Sequence, residues 1–507
     1  MADPIYLDYA ASTPVDPAVA EAMVRSLTGA DGLGNASSVT HSLGRRVAER
    51  IERARAEVAA LIGAGPEEII FTSGATESNN LAILGAARAN AHRGRHLVSA
   101  RTEHKAVLDP LRRLEKEGFT VTRLSPDRTG RIDPDVVAAA LRADTILTSI
   151  MLVNNEIGVI QDVAAIASLC RARGVLMHSD AAQAAGKIPL EVHASPLDFM
   201  SITAHKLYGP KGIGALYVRR DARAHLQPIV FGGGQEKGLR PGTLPTHQIV
   251  GFGVACGLAR RGLPAEHARL AGMRERLWRG LALLGGVHAN GEGVPAVPGI
   301  LNVSFAGVEG ESLVSGLREL ALSTGSACNS ASAEPSYVLR ALGRDTQLAQ
   351  SSLRLSFGRF SAPEHIDVAV AAIRREVVRL RGLSPASEVL GGPAEGSAER
   401  KIVSPLSVTE AVGEGGGPGQ EVWIRFRLQV REGVVTSALF KAYGCPHTLA
   451  VTAWVTERLR GRGRADLAPG TPAEWAETLA VPAEKLGRLL VVQDALADCA
   501  RHWPEPG

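Results

Sequence analysis

The chain has 507 residues, 45% of them hydrophobic and 21% charged, with a formal net charge of +4. This length calls for more than one domain, and the composition for a globular chain with a sizeable core rather than a disordered or fibrous one. The small net charge argues neither for nor against nucleic acid, and no direct nucleic-acid binding is expected; no uninterrupted apolar run reaches membrane-spanning length, so no membrane partner is expected either.

The five cysteines, Cys170, Cys256, Cys328, Cys445 and Cys499, are scattered and form no Cys-x-x-Cys pair. A disulfide framework or a cysteine-rich zinc site is therefore not expected, and a reducing cytoplasm fits the pattern. The start, from Met1 to Tyr6, lacks the basic region and apolar core of a signal peptide.

In chain order, an arm up to about Pro14 comes first. Leu43, Val47, Ile51, Ala54, Val58 and Leu61 then recur at spacings of three and four, the stripe of an amphipathic helix. Short apolar runs follow at 69–71, 96–99, 145–153, 175–177, 199–202 and 215–218, with helix-like stretches such as 163–173 between several of them. The alternation predicts a mostly parallel sheet covered by helices, with ligands at the strand C-terminal ends. Thr76, His104, Asn155, Asp180 and Lys206 all fall just after such runs.

From about Gly262 the pattern changes. A charged helix over 266–281, strands over 300–305 and 351–357 and a helix over 366–380 predict a second, α+β domain. The Gly-, Pro- and Ser-rich stretch at 384–400 reads as a linker. Beyond it, alternation over 421–430, a turn at Arg431–Gly433 and a return over 434–443 predict a hairpin, followed by helices near 449–459 and 483–500. The expected domains are 1–14 with 262–383, 15–261, and 401–507 after the linker.

The stretch around Lys206 carries the chemistry. A lysine at the end of an apolar strand, short of acidic neighbours, is a nucleophilic amine when desolvated. Asp180 ends another strand and could face a pyridinium nitrogen. Phe71 to Asn80 closes a strand and opens a helix with glycine and hydroxyl residues, so free backbone N–H groups could hold a phosphate. Phosphate seat, carboxylate and lysine together describe a pyridoxal phosphate site.

The motifs Tyr6–Ala11, Thr72–Ser78, Thr102–Val107, Val153–Gly158, Ala204–Gly214, Arg240–Thr243, Ser323–Cys328 and Ser352–Ser356, in that order, resemble those of the cysteine desulfurases among the fold-type I pyridoxal phosphate enzymes. The resemblance runs from about Ile5 to Pro385. It implies Lys206 as the Schiff-base lysine, Asp180 on the ring nitrogen, Gln183 on the phenolate oxygen and His104 on the ring face, where it could relay protons. Ala75, Thr76, Thr203 and His205 would surround the phosphate, with Thr243 reaching it from a partner subunit of a homodimer. A histidine that merely caps a helix is the alternative reading of His104, and the weaker one. The family commonly has serine at position 203; threonine keeps the hydroxyl on a stiffer side chain.

Arg354, a planar and permanently charged fork, would hold the carboxylate of L-cysteine, with Asn155 beside it. Cys328 lies in a small, polar stretch expected to be an exposed loop, so it is the cysteine expected to react, whereas Cys170 and Cys256 suit the core. Its implied role is to take the substrate sulfur as a persulfide, leaving L-alanine, and to pass that sulfur to acceptor or scaffold proteins for iron–sulfur cluster assembly or thiolation. The loop resembles that of the longer-loop group of desulfurases. A selenocysteine lyase or another pyridoxal phosphate lyase is the alternative enzyme, and an iron–sulfur assembly platform the alternative of another class.

From about Lys401 the chain resembles the iron–sulfur cluster scaffold proteins, through Phe440–Cys445, Val455–Glu457 and Gln493–Leu496. That family uses three cysteines; here the first would fall near Gly413–Pro418 and the last near Arg488, and only Cys445 matches. One thiolate neither assembles a cluster nor closes a zinc site. The expectation is a degenerate scaffold domain without a metal site, in which Cys328 or Cys445 would be the cluster-related ligands if any are. Cys445 could accept sulfur or the module could dock partners.

Overall fold

The structure is a computed structural model and describes residues 3–28, 33–324, 335–383, 409–417 and 422–504. Cys328 and the linker expected at 384–400 lie outside the described residues.

A seven-stranded sheet forms the centre, in the order Ile69–Thr72, Gly214–Val218, Phe199–Thr203, Leu176–Asp180, Thr145–Ser149, His96–Ala100, Thr120–Leu124. All neighbours pair in parallel except Gly214–Val218, which runs against both of its neighbours. Every residue of the strands 69–72, 96–100, 145–149, 176–180, 199–203 and 214–218 is buried, as strands covered on both faces require. The edge strand Thr120–Leu124 escapes the apolar-run reading because it is half-exposed and rich in threonine. The run at 145–153 is strand only to Ser149; Ile150 to Val153 stay buried as irregular chain leading to Asn155.

One helix, Thr246–Ala282, replaces the shorter one expected at 266–281. Gly262 and Pro264 suggest a break, yet the helix continues through them because its first half has its own apolar contacts. Ile249, Phe252 and Cys256 are fully buried in the same core as Val47, Ile51 and Val58 of the helix Ser42–Ile62. A side chain at Gly253 would meet the Ala54 backbone at 2.6 Å, so glycine sets how closely the two helices approach.

A second core gathers Leu7, Leu277, Phe305, Leu355 and Ile373 around an antiparallel sheet, Ser352–Ser356, Ile300–Phe305 and Val287–Ala289. The N-terminal arm joins it: Ile5–Tyr6 pairs in parallel with Leu320–Ala321. Alternation puts Arg354 and Ser356 on a polar face, but both are buried, because the arm covers that face and the Ala10 N–H donates to the Ser356 hydroxyl at 2.9 Å.

The C-terminal module is a three-stranded antiparallel meander, Thr409–Gly416, Trp423–Arg431 and Val434–Tyr443, with helices Pro446–Glu457, Pro472–Thr478 and Leu486–Arg501. The first strand and the helix Pro472–Thr478 carry no apolar pattern strong enough to announce them. Gly413 and Gly415 face the helix Leu486–Arg501. A side chain at either would sit 2.2 Å from that helix's backbone, at the Cys499 nitrogen and the Val491 oxygen. No cysteine fits there without moving the helix. Cys445 is fully buried with its Sγ 3.3 Å from the Thr448 hydroxyl, Cys499 is fully buried with its thiol pushed up to about 12, and Arg488 pairs with Glu311 at 3.9 Å. Among the described residues no group of three or more His, Cys, Asp or Glu side chains is placed to hold a metal, and no helix is long and apolar enough to cross a membrane.

Candidate active site

The parallel strands deliver their C-terminal ends to one side of the sheet, where a cavity of about 650 Å³ opens. Ala75, Thr76, His104, Asn155, Asp180, Gln183, Thr203, His205, Lys206 and Arg354 all line it. Thr243 does not: it is exposed and outside this cavity.

One end is built to receive an anion. Gly74 takes φ of +150°, a backbone that other residues rarely adopt, and opens the 15-residue helix Ala75–Ala89 without a side-chain cap. Its first-turn N–H groups face the cavity beside the hydroxyls of Thr76 and Thr203. A side chain at Gly214 would lie 2.7 Å from the Gly74 Cα, so the loop passes hard against the sheet.

Asp180 is 5% exposed. Its Oδ2 accepts from Asn79 Nδ2 at 2.7 Å and its Oδ1 from the Ala182 N–H at 2.9 Å, which fixes the carboxylate's direction. Lys206 stands on the tight turn Ala204–Lys206. Thr13 of the arm clamps that turn: its N–H and hydroxyl donate to the His205 carbonyl at 2.8 and 3.0 Å, and the Tyr208 N–H donates to its hydroxyl at 2.8 Å. Burial, with Lys206 next in weight, pushes the His205 imidazole down to about 4, so it is neutral.

His104 has two places in the structure. It lines the cavity, and it caps the helix Lys105–Lys116, its Nδ1 accepting from the Ala106 N–H at 3.1 Å. That bond places the ring proton on Nε2. Burial lowers its pKa, so the neutral form prevails.

Gln183 donates through Nε2 to the Ala10 carbonyl at 2.7 Å, and its Oε1 accepts from Lys187. The two bonds fix which end of the amide is which. Lys187 lies deep, and burial pushes it down to about 7.

Arg354 is 4% exposed, and its outer nitrogens are engaged: Nη1 with the Asn155 carbonyl at 3.0 Å and Nη2 with Asp8 at 2.8 Å. Both outer nitrogens of the fork are thus held by the protein itself. Among the described residues its Nε is buried without a partner, and so is Oδ1 of Asn155. A buried donor and a buried acceptor on two lining residues are the kind of groups that a ligand completes. Glu156 also lines the cavity; burial raises its carboxyl to about 7, and the Ser336 hydroxyl donates to it at 2.5 Å.

Asp8, Asn79, Lys187 and Glu156 are the site residues that sequence reasoning missed. Asp8, Asn79 and Glu156 stand inside or beside the motifs quoted above, but their partners are remote in sequence, so spacing gives no signal for their roles.

The residues fit pyridoxal phosphate: a helix N-terminus and two hydroxyls for the phosphate, a directed carboxylate for the ring nitrogen, and a lysine on a clamped turn. Residues 5–368 match the family Aminotransferase class-V. Cysteine desulfurase IscS of Salmonella schwarzengrund (strain CVM19633) is 54% identical over 386 residues, 76% of this chain and 96% of that one. Among solved structures, a NifS-like protein superposes with a TM-score of 0.68 at 33% identity, covering 74% of this chain and all of that one. SspA, solved in complex with cysteine, superposes with a TM-score of 0.64 at 37% identity, covering 71% of this chain and all of that one.

Proposed function

We infer that this chain, which belongs to the aminotransferase class-V family, is a pyridoxal phosphate-dependent cysteine desulfurase that supplies sulfur for iron–sulfur cluster assembly. The observation that carries the residue-level reading is the single cavity where Asp180, Lys206, His104 and Arg354 meet.

When bound, the cofactor supplies an electron sink for negative charge at the substrate Cα. The chain's residues do the rest. The N–H groups of the Ala75–Ala89 helix and the hydroxyls of Thr76 and Thr203 hold the phosphate, with His205 neutral beside them. Asp180 keeps the ring nitrogen protonated. Gln183, its amide oriented by Lys187, presents N–H toward the phenolate oxygen. The Arg354 Nε takes the α-carboxylate of L-cysteine, and Asn155 Oδ1 is the neighbouring acceptor. The Lys206 amine moves the proton at Cα, and neutral His104 is a proton carrier through Nε2. The Cys328 thiolate then attacks the substrate sulfur. The new S–S bond forms as the substrate's C–S bond breaks, its electron pair passes to Cβ, and protonation at Cβ with return of the proton to Cα yields L-alanine and a persulfide on Cys328.

The protein works as a homodimer in this reading, because Thr243 is exposed and outside its own chain's cavity and so is available to a partner's phosphate. The four described cysteines are all unpaired and buried, which supports a cytoplasmic setting.

The test is product formation by the cofactor-loaded protein. L-Cysteine with a thiol reductant should give L-alanine and sulfide in equal amounts. Cys328→Ala and Lys206→Ala should each lose at least about a hundredfold in rate. Undiminished alanine from Cys328→Ala would point instead to a lyase that needs no persulfide. Mixing Thr243→Ala with Lys206→Ala protein should recover part of the activity; no recovery above the sum of the two would overturn the shared site.

A further inference from the structure

Among the described residues the C-terminal module packs on the second domain, its strand Val434–Tyr443 lying against the helix Pro363–Leu383 and its helix Pro446–Glu457 against the short helix Gly310–Gly316. Lys485 Nζ lies 3.0 Å from both carboxylate oxygens of Glu311, with Arg488 3.9 Å from the same group. The hydroxyl of Ser312, itself buried, donates to the Gly444 carbonyl at 3.0 Å. Gln347 donates to the Tyr443 hydroxyl at 3.0 Å. Leu449 packs against the core of the second domain and against the module's own core.

The polar contacts fall on two short helices, Gly310–Gly316 and Thr346–Gln350. The helices also abut each other: a side chain at Gly310 would stand 2.0 Å from the Gln350 carbonyl. Each runs into an element that supports the substrate seat. The first leads to Leu320–Ala321, which pairs with the Ile5–Tyr6 arm just before Asp8, and on to Ser323. The second leads into Ser352–Ser356, which carries Arg354. The two lines meet where the Arg354 N–H donates to the Ser323 carbonyl at 2.7 Å, while Asp8 holds the guanidinium.

We propose that the C-terminal module is a clamp on the substrate seat: by gripping these two helices it fixes the Ser323–Arg354 backbone pair, and through it the place of the Arg354 guanidinium. Glu311, Lys485 and Leu449 are positioning residues and touch nothing in the cavity. The module then serves L-cysteine binding by the enzyme half without needing a metal. The proposal rests on reading Arg354 as the carboxylate-binding residue.

Charge reversal in the cofactor-loaded full chain tests it. Glu311→Lys sets like charges against Lys485 and Arg488. It should raise KM for L-cysteine about 2- to 30-fold while kcat and cofactor content hold, the range that coupling through a packed network gives. Adding Lys485→Glu in the same chain restores an ion pair and should bring KM back toward the wild-type value. Hydrogen exchange gives a readout independent of turnover: the Arg354 amide should exchange faster in Glu311→Lys and recover in the double variant. Arg354→Lys, measured alongside, separates the two claims. If it raises KM while Glu311→Lys changes neither KM nor the Arg354 amide, the clamp is wrong and the seat stands. If Arg354→Lys leaves KM unchanged, the reading of the seat falls, and the clamp falls with it.

Discussion

Glu156 lines the cavity as a buried carboxyl whose pKa burial raises to about 7. The folded state therefore keeps a proton there that the unfolded chain releases near its ordinary value of about 4.3. Its contribution to stability is whole below that value and is lost as pH rises through about 7. Glu156→Gln keeps the shape and an acceptor for Ser336 without the charge. It should be more stable than the parent at pH 8 by about 1–3 kcal/mol and equal to it below about pH 4.5; denaturant midpoints at the two pH values check this. Legibility at this scale follows covalent neighbourhood. Lys206, Asp180 and His104 were readable because each follows its own apolar run. The partners that direct them were not: Asn79 reaches Asp180 across 101 residues, and Asp8 reaches Arg354 across 346. Such pairs are made by the fold, and no local pattern encodes them.

Elements were legible where burial was one-sided or complete, and illegible where it was partial. The buried strands and the helix Ser42–Ile62 show their period plainly, whereas the half-exposed edge strand Thr120–Leu124 does not. The glycines of Thr409–Gly416 read as a missing ligand in the sequence; in the fold they are the contact surface for the helix Leu486–Arg501. Gly413→Cys, which would place a thiol there, should destabilise the module by roughly 1–3 kcal/mol or more, because its Cβ meets backbone rather than a yielding side chain. Chemical denaturation followed by tryptophan fluorescence reads this directly, since Trp475 is fully buried in the module's core. Arg359 ties elements in another way. It bonds Asp16, the cap of the helix Pro17–Leu27, at 2.8 Å and Glu266 of the long helix at 3.1 Å, and lies 4.1 Å over the Tyr208 ring. Arg359→Ala should lower global stability by about 2–4 kcal/mol, since it leaves Asp16 and Glu266 without this cation and removes a cation–π contact; equilibrium denaturation checks it.

At the scale of the whole molecule, the sequence announced an enzyme and an appended module but not how they meet, because the meeting residues are ordinary surface types brought together from distant parts of the chain. Leu449 belongs to two cores, so the halves should not melt independently. Scanning calorimetry of the full chain should show one cooperative transition, and Leu449→Asp should divide it into two. The antiparallel strand Gly214–Val218 has a consequence in time. It pairs back on Phe199–Thr203 at short range, so the lysine turn is closed by neighbours in sequence. The seat at Arg354 waits for a strand made much later and then reaches back to the arm. At about 5–20 residues per second the ribosome emits Arg354 on the order of ten seconds after Lys206. A nascent chain halted between the two should already present the lysine turn while it has no means of gripping an amino acid, so the order of synthesis alone should let the cofactor precede the substrate.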